Sequence, residues 1–428
     1  MQIDFLYGKN GLSFELDDKL DINVLEPDEL NAIKDPVDEI YQNCIKPMNS
    51  KSLPQLLKKC REGNIVIVVE DHTRPMPSVY PLNALIKIFD ELHIPDNRVK
   101  ILVGTGLHRS PKPDELSRMV GEEVINRYDI IFHDATDMLN LKFVGKTSFE
   151  NDVYLNNNYL DASLRIVTGY VEPHFFAGFS GGRKALVPGI AGQETILSNH
   201  SAKNIDSGAH FGVLKGNPVH EDALEVARMK DAKPEFCINV TLNSNHKITN
   251  VACGNIVAVH NYLVQQQRKN CFKELNKKYD VVICGNGGYP LDLNLYQAVK
   301  SMAIGEMAGK ENGYIISVNE CSDGVGQDKF DELINCGKSP EEIYNDAISG
   351  RIKVPDIWEI QILARILMKH NIYVVSEMKK GELGNIGLRY AKNVQSAINE
   401  IIQESNKEIA DTSVLVLPKG PLILPVML

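Results

Sequence analysis

Short runs of Val, Ile and Leu recur along the chain, and most end on glycine or a polar residue. Asn64 to Glu70 leads into Asp71-His72-Thr73-Arg74-Pro75, and Val99 to Val103 into Gly104-Thr105-Gly106-Leu107-His108-Arg109. Tyr128 to Phe132 leads into His133-Asp134, and Leu164 to Thr168 into Gly169-Tyr170. Apolar runs without alternation predict strands buried on both faces, as in a parallel sheet. Leu82 to Leu92 and Asp114 to Val124 repeat apolar residues at helical spacing and predict helices between strands. A second block repeats the style with Asp280 to Cys284, Gly313 to Val318, Ile372 to Val375 and Ser413 to Leu417. Cys237 to Leu242 and Lys247 to Val251 flank Asn243-Ser244-Asn245-His246 and predict a β-hairpin, whereas Val257 to Tyr279 is predicted helical. The pattern predicts an α/β fold of two domains with mostly parallel sheets. The expected domains are residues 1–265 and 275–428, with the last strand able to return to the first domain. Ligands of open α/β sheets sit beyond the carboxyl ends of strands, so the active site is expected there, in the cleft between the domains.

The 428 residues carry 46 Lys plus Arg against 56 Asp plus Glu, a net charge of −10. That balance argues against a nucleic-acid partner, which calls for a basic face. No run reaches the roughly 20 apolar residues of a membrane span, so no membrane partner is expected. Met1 to Lys9 includes acidic Asp4 and does not read as a signal peptide. The eight cysteines form no Cys-x-x-Cys pair, which disfavours zinc ribbons, iron–sulfur clusters and thioredoxin-like sites. A reducing cytoplasm is the expected location.

The segment Tyr170 to Gly189 holds the densest chemistry. Gly178, Gly181 and Gly182 permit a tight turn and close approach of backbone to a ligand. Exposed amides there, beside Arg183 and Lys184, suit a phosphate or other anion. A phosphate-binding P-loop is excluded, because Arg183 stands before Lys184 and Ala185 after it. A glycine-rich hinge is the competing reading. Lys184 in an aromatic-flanked loop is a candidate nucleophile, although most lysines are solvated. His108, His174 and His200 occupy special contexts but lie too far apart for a local metal motif, and His93, His246, His260 and His370 read as ordinary polar residues. Arg74 could clamp a carboxylate, or simply pair at a strand end. Gln297 and Lys300 stand at helical spacing after Asn286-Gly287-Gly288-Tyr289-Pro290, which fits a ligand-facing pair or an exposed helix face. Gly285-Asn286-Gly287 lacks the third glycine of a dinucleotide fingerprint, Pro290 standing in its place, which disfavours an NAD-dependent dehydrogenase.

Taken together, the Asp71–Pro75, Gly104–Arg109, His174–Lys184, Asn199-His200 and Asn286–Asp292 segments, with Tyr296 to Lys300, resemble the nickel-dependent lactate racemase family across most of the chain. The resemblance implies an isomerase, a racemase of lactate or of another small 2-hydroxy acid such as malate, phenyllactate or an aldonate. It implies a nickel-pincer nucleotide, a pyridinium-3-thioamide-5-thiocarboxylic acid mononucleotide, made by separate cofactor-biosynthesis enzymes. Lys184 would hold that group covalently and His200 would bind nickel. Asp71, Gly178, Ser180, Gly181 and Gly182 would support the nucleotide. His108 and His174 would be the acid/base pair, and Arg74, Tyr296, Gln297 and Lys300 would bind substrate. The implied reaction is proton-coupled hydride transfer through a transient pyruvate. A cofactor carrier without turnover is a rival from another class, and it would leave pure L-lactate unchanged.

Overall fold

The computed structural model describes every residue except Lys353, Pro355, Asp356, Asn406 and Leu428. The chain divides into a unit of Glu29–Lys269 and a unit of Met1–Asp28 with Asn270–Leu428. Both are α/β.

In the Glu29–Lys269 unit a six-stranded sheet runs, edge to edge, Ile248–Gly254, Phe236–Leu242, Leu164–Tyr170, Ile65–Glu70, Val99–Gly104 and Asp129–Phe132. All neighbours are parallel except the Ile248–Gly254 edge, which forms the expected hairpin with Phe236–Leu242. The central strands are buried on both faces, which explains their unbroken apolar sequence. Helix Val79–Glu91 lays Leu82, Leu85 and Phe89 onto this core. The helix predicted over Asp114 to Val124 is two, Pro113–Val120 and Glu122–Arg127, because Gly121 stands between them at φ +84°. From Glu70 the chain passes to the Val99–Gly104 side of the sheet, and from Tyr170 to the Phe236–Leu242 side. Two neighbouring strands whose exits diverge leave a crevice above their carboxyl ends.

The other unit has a fully parallel sheet in the order Arg389–Tyr390, Asn371–Val375, Gly309–Val318, Tyr279–Cys284, Ser413–Leu417 and Asp21–Val24. The first 28 residues, expected in the N-terminal domain, therefore belong with the C-terminal half. Backbone pairing is the reason: Ile22 lies beside Val414, and Ile3 and Phe5 of the Gln2–Phe5 hairpin strand pack into the same core. The last strand, Leu424–Met427, pairs with Phe272–Leu275 in its own unit and does not return to the first. That pairing also ends the predicted Val257–Tyr279 helix at Cys271, since Phe272 onward is extended.

No helix of the described residues is long and apolar enough to cross a membrane. Cys44, Cys237, Cys253 and Cys284 are fully buried and act as small core residues. Ile283, at the centre of the second sheet, has no exposed surface. Ile283→Ala should cost about 2–5 kcal/mol through lost burial and a residual cavity. Chemical denaturation of the purified chain measures this, and an unshifted midpoint would contradict the central placement.

Candidate active site

The strand Ile65–Glu70 delivers Asp71 into a tight turn. Asp71 Oδ1 accepts from the Thr73 amide at 2.9 Å and the Thr73 hydroxyl at 2.6 Å, a local closure typical of aspartate. Its Oδ2 lies 2.6 Å from Nδ1 of His108, which follows the neighbouring strand Val99–Gly104. Burial alone would raise the Asp71 carboxyl, but His108, Arg74 and Thr73 together hold it well below the usual carboxylate range. Asp71 is thus ionised, and the tautomer that fits it carries hydrogen on His108 Nδ1, leaving Nε2 as the basic atom. The Asp71 carboxylate, expected beside a nucleotide, is engaged within the chain.

The strand Leu164–Tyr170 delivers the glycine-rich loop. Pro173–His174 pairs with Gly178–Phe179 in a miniature hairpin. Gly178 sits at φ +75°, and a side chain there would run into the Val213 carbonyl. Gly181, at φ +72°, would bring a Cβ within 2.8 Å of the Tyr170 carbonyl. Ser180 Oγ donates to the Tyr170 carbonyl at 2.8 Å and accepts from the Glu172 amide at 2.9 Å. The Gly182 amide donates to Asn239 Oδ1 at 2.7 Å. Ser180 and Gly182 therefore use these polar atoms to fix the loop on the sheet.

That anchoring sets Lys184. Its Nζ lies 3.0 Å from His174 Nε2, and the Ala177 amide donates to His174 Nδ1 at 3.3 Å. The Phe176 ring touches the whole group: its centroid is 4.6 Å from that of His174, 4.9 Å from that of His200, and 5.6 Å from Lys184 Nζ. His200 follows helix Gln193–Asn199, and Asn199 Nδ2 ties that helix end to Asp222 Oδ2 at 2.6 Å and to the Val219 carbonyl at 3.1 Å. Burial first, then the nearby charges of Lys184 and His108, lowers His200 to a pKa of about 3. His200 is neutral at physiological pH, the form in which imidazole binds metals. Among the described residues no group of three or more His, Cys, Asp or Glu could hold a metal ion. One histidine and one amine fit a metal carried mainly by an organic ligand.

In the other unit Tyr296, Gln297 and Lys300 occupy the first turns of helix Leu295–Ala308, which Asn294 caps by accepting from the Gln297 amide at 3.0 Å. Lys300 Nζ donates to Gln297 Oε1, so the expected pair shares one side of the helix. Trp358 Nε1 donates to the Tyr296 hydroxyl at 2.9 Å. Sequence gave no hint of Trp358, which lies in no motif. His260, read as ordinary, is buried against the glycine-rich loop with Nε2 2.9 Å from Arg183 Nη1.

Glu70 is a further residue without a sequence signal. Burial raises its carboxyl to about 8 despite the opposing charge of Arg74. Desolvation works against the Arg74 cation and is the largest single effect, but Asp71, Tyr170, Glu172 and Glu70 together outweigh it and keep the guanidinium charged. Because the folded pKa of Glu70 lies above its unfolded value, the stability tied to its neutral form is complete below the unfolded pKa and is lost as pH rises through about 8. Glu70→Gln, which keeps the acceptor for the Tyr170 amide, should raise the melting temperature relative to wild type by an amount that grows from mildly acidic to alkaline pH. A constant difference across that range would show that Glu70 does not titrate there.

Comparison with known proteins covers both halves of the chain. The models described as Lactate racemase N-terminal domain and Lactate racemase C-terminal domain match residues 7–212 and 275–424. The lactate racemase of Thermoanaerobacterium thermosaccharolyticum is 35% identical over 98% of this chain and 97% of its own length. That of Lactiplantibacillus plantarum is 35% identical over 98% of both. The solved structure of the Thermoanaerobacterium lactate racemase apoprotein superposes with a TM-score of 0.89 at 34% identity, covering 99% of this chain and 100% of that one. A Thermotoga maritima protein, 15% identical, shares the fold with a TM-score of 0.69 over 92% of this chain and 99% of its own. With two family models spanning both halves and relatives aligned nearly end to end, the chain belongs to the lactate racemase family.

Proposed function

We propose that the chain interconverts L- and D-lactate with a nickel-pincer nucleotide attached to Lys184 and ligated by His200. The observation that carries this reading is the convergence of Lys184, His174 and His200 on Phe176. His108 bears on the same group through its effect on His200. The residues fit the group: Lys184 is half-buried beside an imidazole, and His200 is a neutral, buried donor.

The chemistry explains the need for such a group. The hydrogen on the hydroxyl-bearing carbon of lactate is not acidic, because the adjacent carboxylate is already an anion. When bound, the nucleotide supplies a hydride acceptor, so that hydrogen can leave with its electron pair. The protein's own task is to move the hydroxyl proton and to hold the substrate. His108, with Nδ1 directed at Asp71, offers Nε2 as base for the hydroxyl, and Asp71 stabilises the imidazolium that forms. His174 serves the opposite enantiomer. Arg74 binds the carboxylate and retains the planar pyruvate while it turns, and Lys300 is the second cation proposed for an anionic substrate. Gln297 steadies Lys300, and Tyr296, held by Trp358, lines the pocket.

The test is the full chain made together with the cofactor-biosynthesis enzymes, given pure L-lactate and followed by chiral chromatography. Racemisation of lactate supports the reading. Turnover of malate, phenyllactate or an aldonate without turnover of lactate overturns the substrate assignment. Lys184→Ala should lose the covalent mass increment seen in intact-mass measurement. His108→Ala and His174→Ala should each lose at least about 100-fold in rate, the usual scale of a general acid/base, while retaining nickel. Undiminished racemisation by either variant removes the two-base scheme.

A further inference from the structure

Arg183 has the largest fully buried side chain among the described residues, with 1% of its surface exposed. None of the described carboxylates lies within ion-pair distance of it, and burial alone pulls its pKa down to about 9. Its donors go instead to the Ala177 carbonyl at 2.7 Å from Nη2 and to the Gly181 carbonyl at 3.2 Å from Nη1, and Nη1 also lies 2.9 Å from His260 Nε2. His260 is held far below its ordinary pKa by burial and is neutral, so it brings no counter-charge, and the same Nε2 lies 3.0 Å from the Ser180 carbonyl. A cation placed here without a counter-charge must hold something that a neutral residue does not.

What it holds is the backbone beside His174. Arg183 fixes the carbonyl of Ala177, and the amide of the same residue donates to His174 Nδ1 at 3.3 Å. A neutral imidazole that accepts at Nδ1 carries its hydrogen on Nε2. That Nε2 lies 3.0 Å from Lys184 Nζ. An Nε2–H can only donate, and a lysine can accept only as the free amine, because the ammonium has donors and no lone pair. The opposite tautomer would present a lone pair to Lys184 and favour the ammonium. His108 is set the other way, with its Nδ1 facing the Asp71 carboxylate and Nε2 open.

We propose that Arg183 is a positioning residue which, through the Ala177 backbone, locks His174 as the Nε2–H tautomer and so presents Lys184 as a free amine, opposite in hydrogen placement to the Asp71-bound His108. The inference rests on the reading of Lys184 as the attachment residue, but its test does not use lactate. In the full apo chain, nitrogen-15 spectra of the histidines, with His174 and His108 assigned from His174→Gln and His108→Gln, should show His174 bare at Nδ1 and protonated at Nε2. His108 should show the reverse. Finding His174 protonated at Nδ1, or both rings in one tautomer, overturns the proposal whatever the enzyme's activity. Trace acetylation at neutral pH, read as the Lys184 peptide by mass spectrometry, should fall in Arg183→Lys and Arg183→Gln by about tenfold, the effect of one pKa unit in the amine. Unchanged Lys184 labelling in a variant that keeps the wild-type circular dichroism spectrum also overturns it. Should neither variant fold, the wild-type tautomers still decide.

Discussion

Parallel pairing of the strands that end at Glu70 and Tyr170 is the constraint on which the site in the Glu29–Lys269 unit depends. Ile67 lies beside Ile166 and Val68 beside Val167, so the two carboxyl ends emerge side by side. One end carries Asp71 and Arg74, and the other carries the His174–Lys184 loop. On the far side of Glu70, pairing of Val69 with Val103 brings the His108 turn alongside. A one-residue slip in either pairing would turn each strand's side chains to the opposite face. The buried faces forbid it, because both sides of these strands are packed with Val, Ile and Leu. The apolar core thereby fixes the relative positions of an amine, two imidazoles and a guanidinium that sequence separates widely.

Around that crevice the chain sets the charge state of each ionisable group by its surroundings. Asp71 is kept ionised by His108 and Arg74, yet adjacent Glu70 is pushed toward the neutral acid by burial. His200 is kept neutral by burial and by the nearby charges of Lys184 and His108. Neighbouring groups of the same type held in opposite states are typical of sites that handle protons. The pattern also explains Arg74. With His108 it compensates the ionised Asp71, and the surrounding acidic groups keep its guanidinium charged.

Much of this was legible in the sequence because it is local. Buried parallel strands read as unbroken apolar runs, and the loops after Glu70, Gly104 and Tyr170 place their polar residues immediately at strand ends. Non-local pairing was not legible. Nothing in Asp21–Val24 names Ser413–Leu417 as its partner, nor does Phe272–Leu275 reveal Leu424–Met427, and these pairings redrew the domain division. The glycine-rich loop shows a second limit. Its composition announces a tight turn, but Ser180 and the Gly182 amide bond inward to Tyr170, Glu172 and Asn239, a direction no motif encodes. His260 and Trp358 act through contacts brought by distant elements, and Glu70 titrates abnormally only because folding buries it.

The proposed metal chemistry fits the same donor set. Protein-built sites gather several carboxylates, thiolates or imidazoles whose mutual repulsion the metal relieves, and such sites couple folding to metal binding. Among the described residues no such gathering exists. His200 stands as a single neutral imidazole, packed edge-on against Phe176 and held by a helix end that Asp222 pins through Asn199. Burying one neutral ring against an aromatic neighbour creates no charge that a metal must cancel. This packing leaves Lys184 and His200 in place without a metal or nucleotide. A preorganised amine and a preorganised imidazole suit the proposed cofactor, assembled elsewhere and delivered complete, for which Lys184 would be the covalent tether and His200 the ligand.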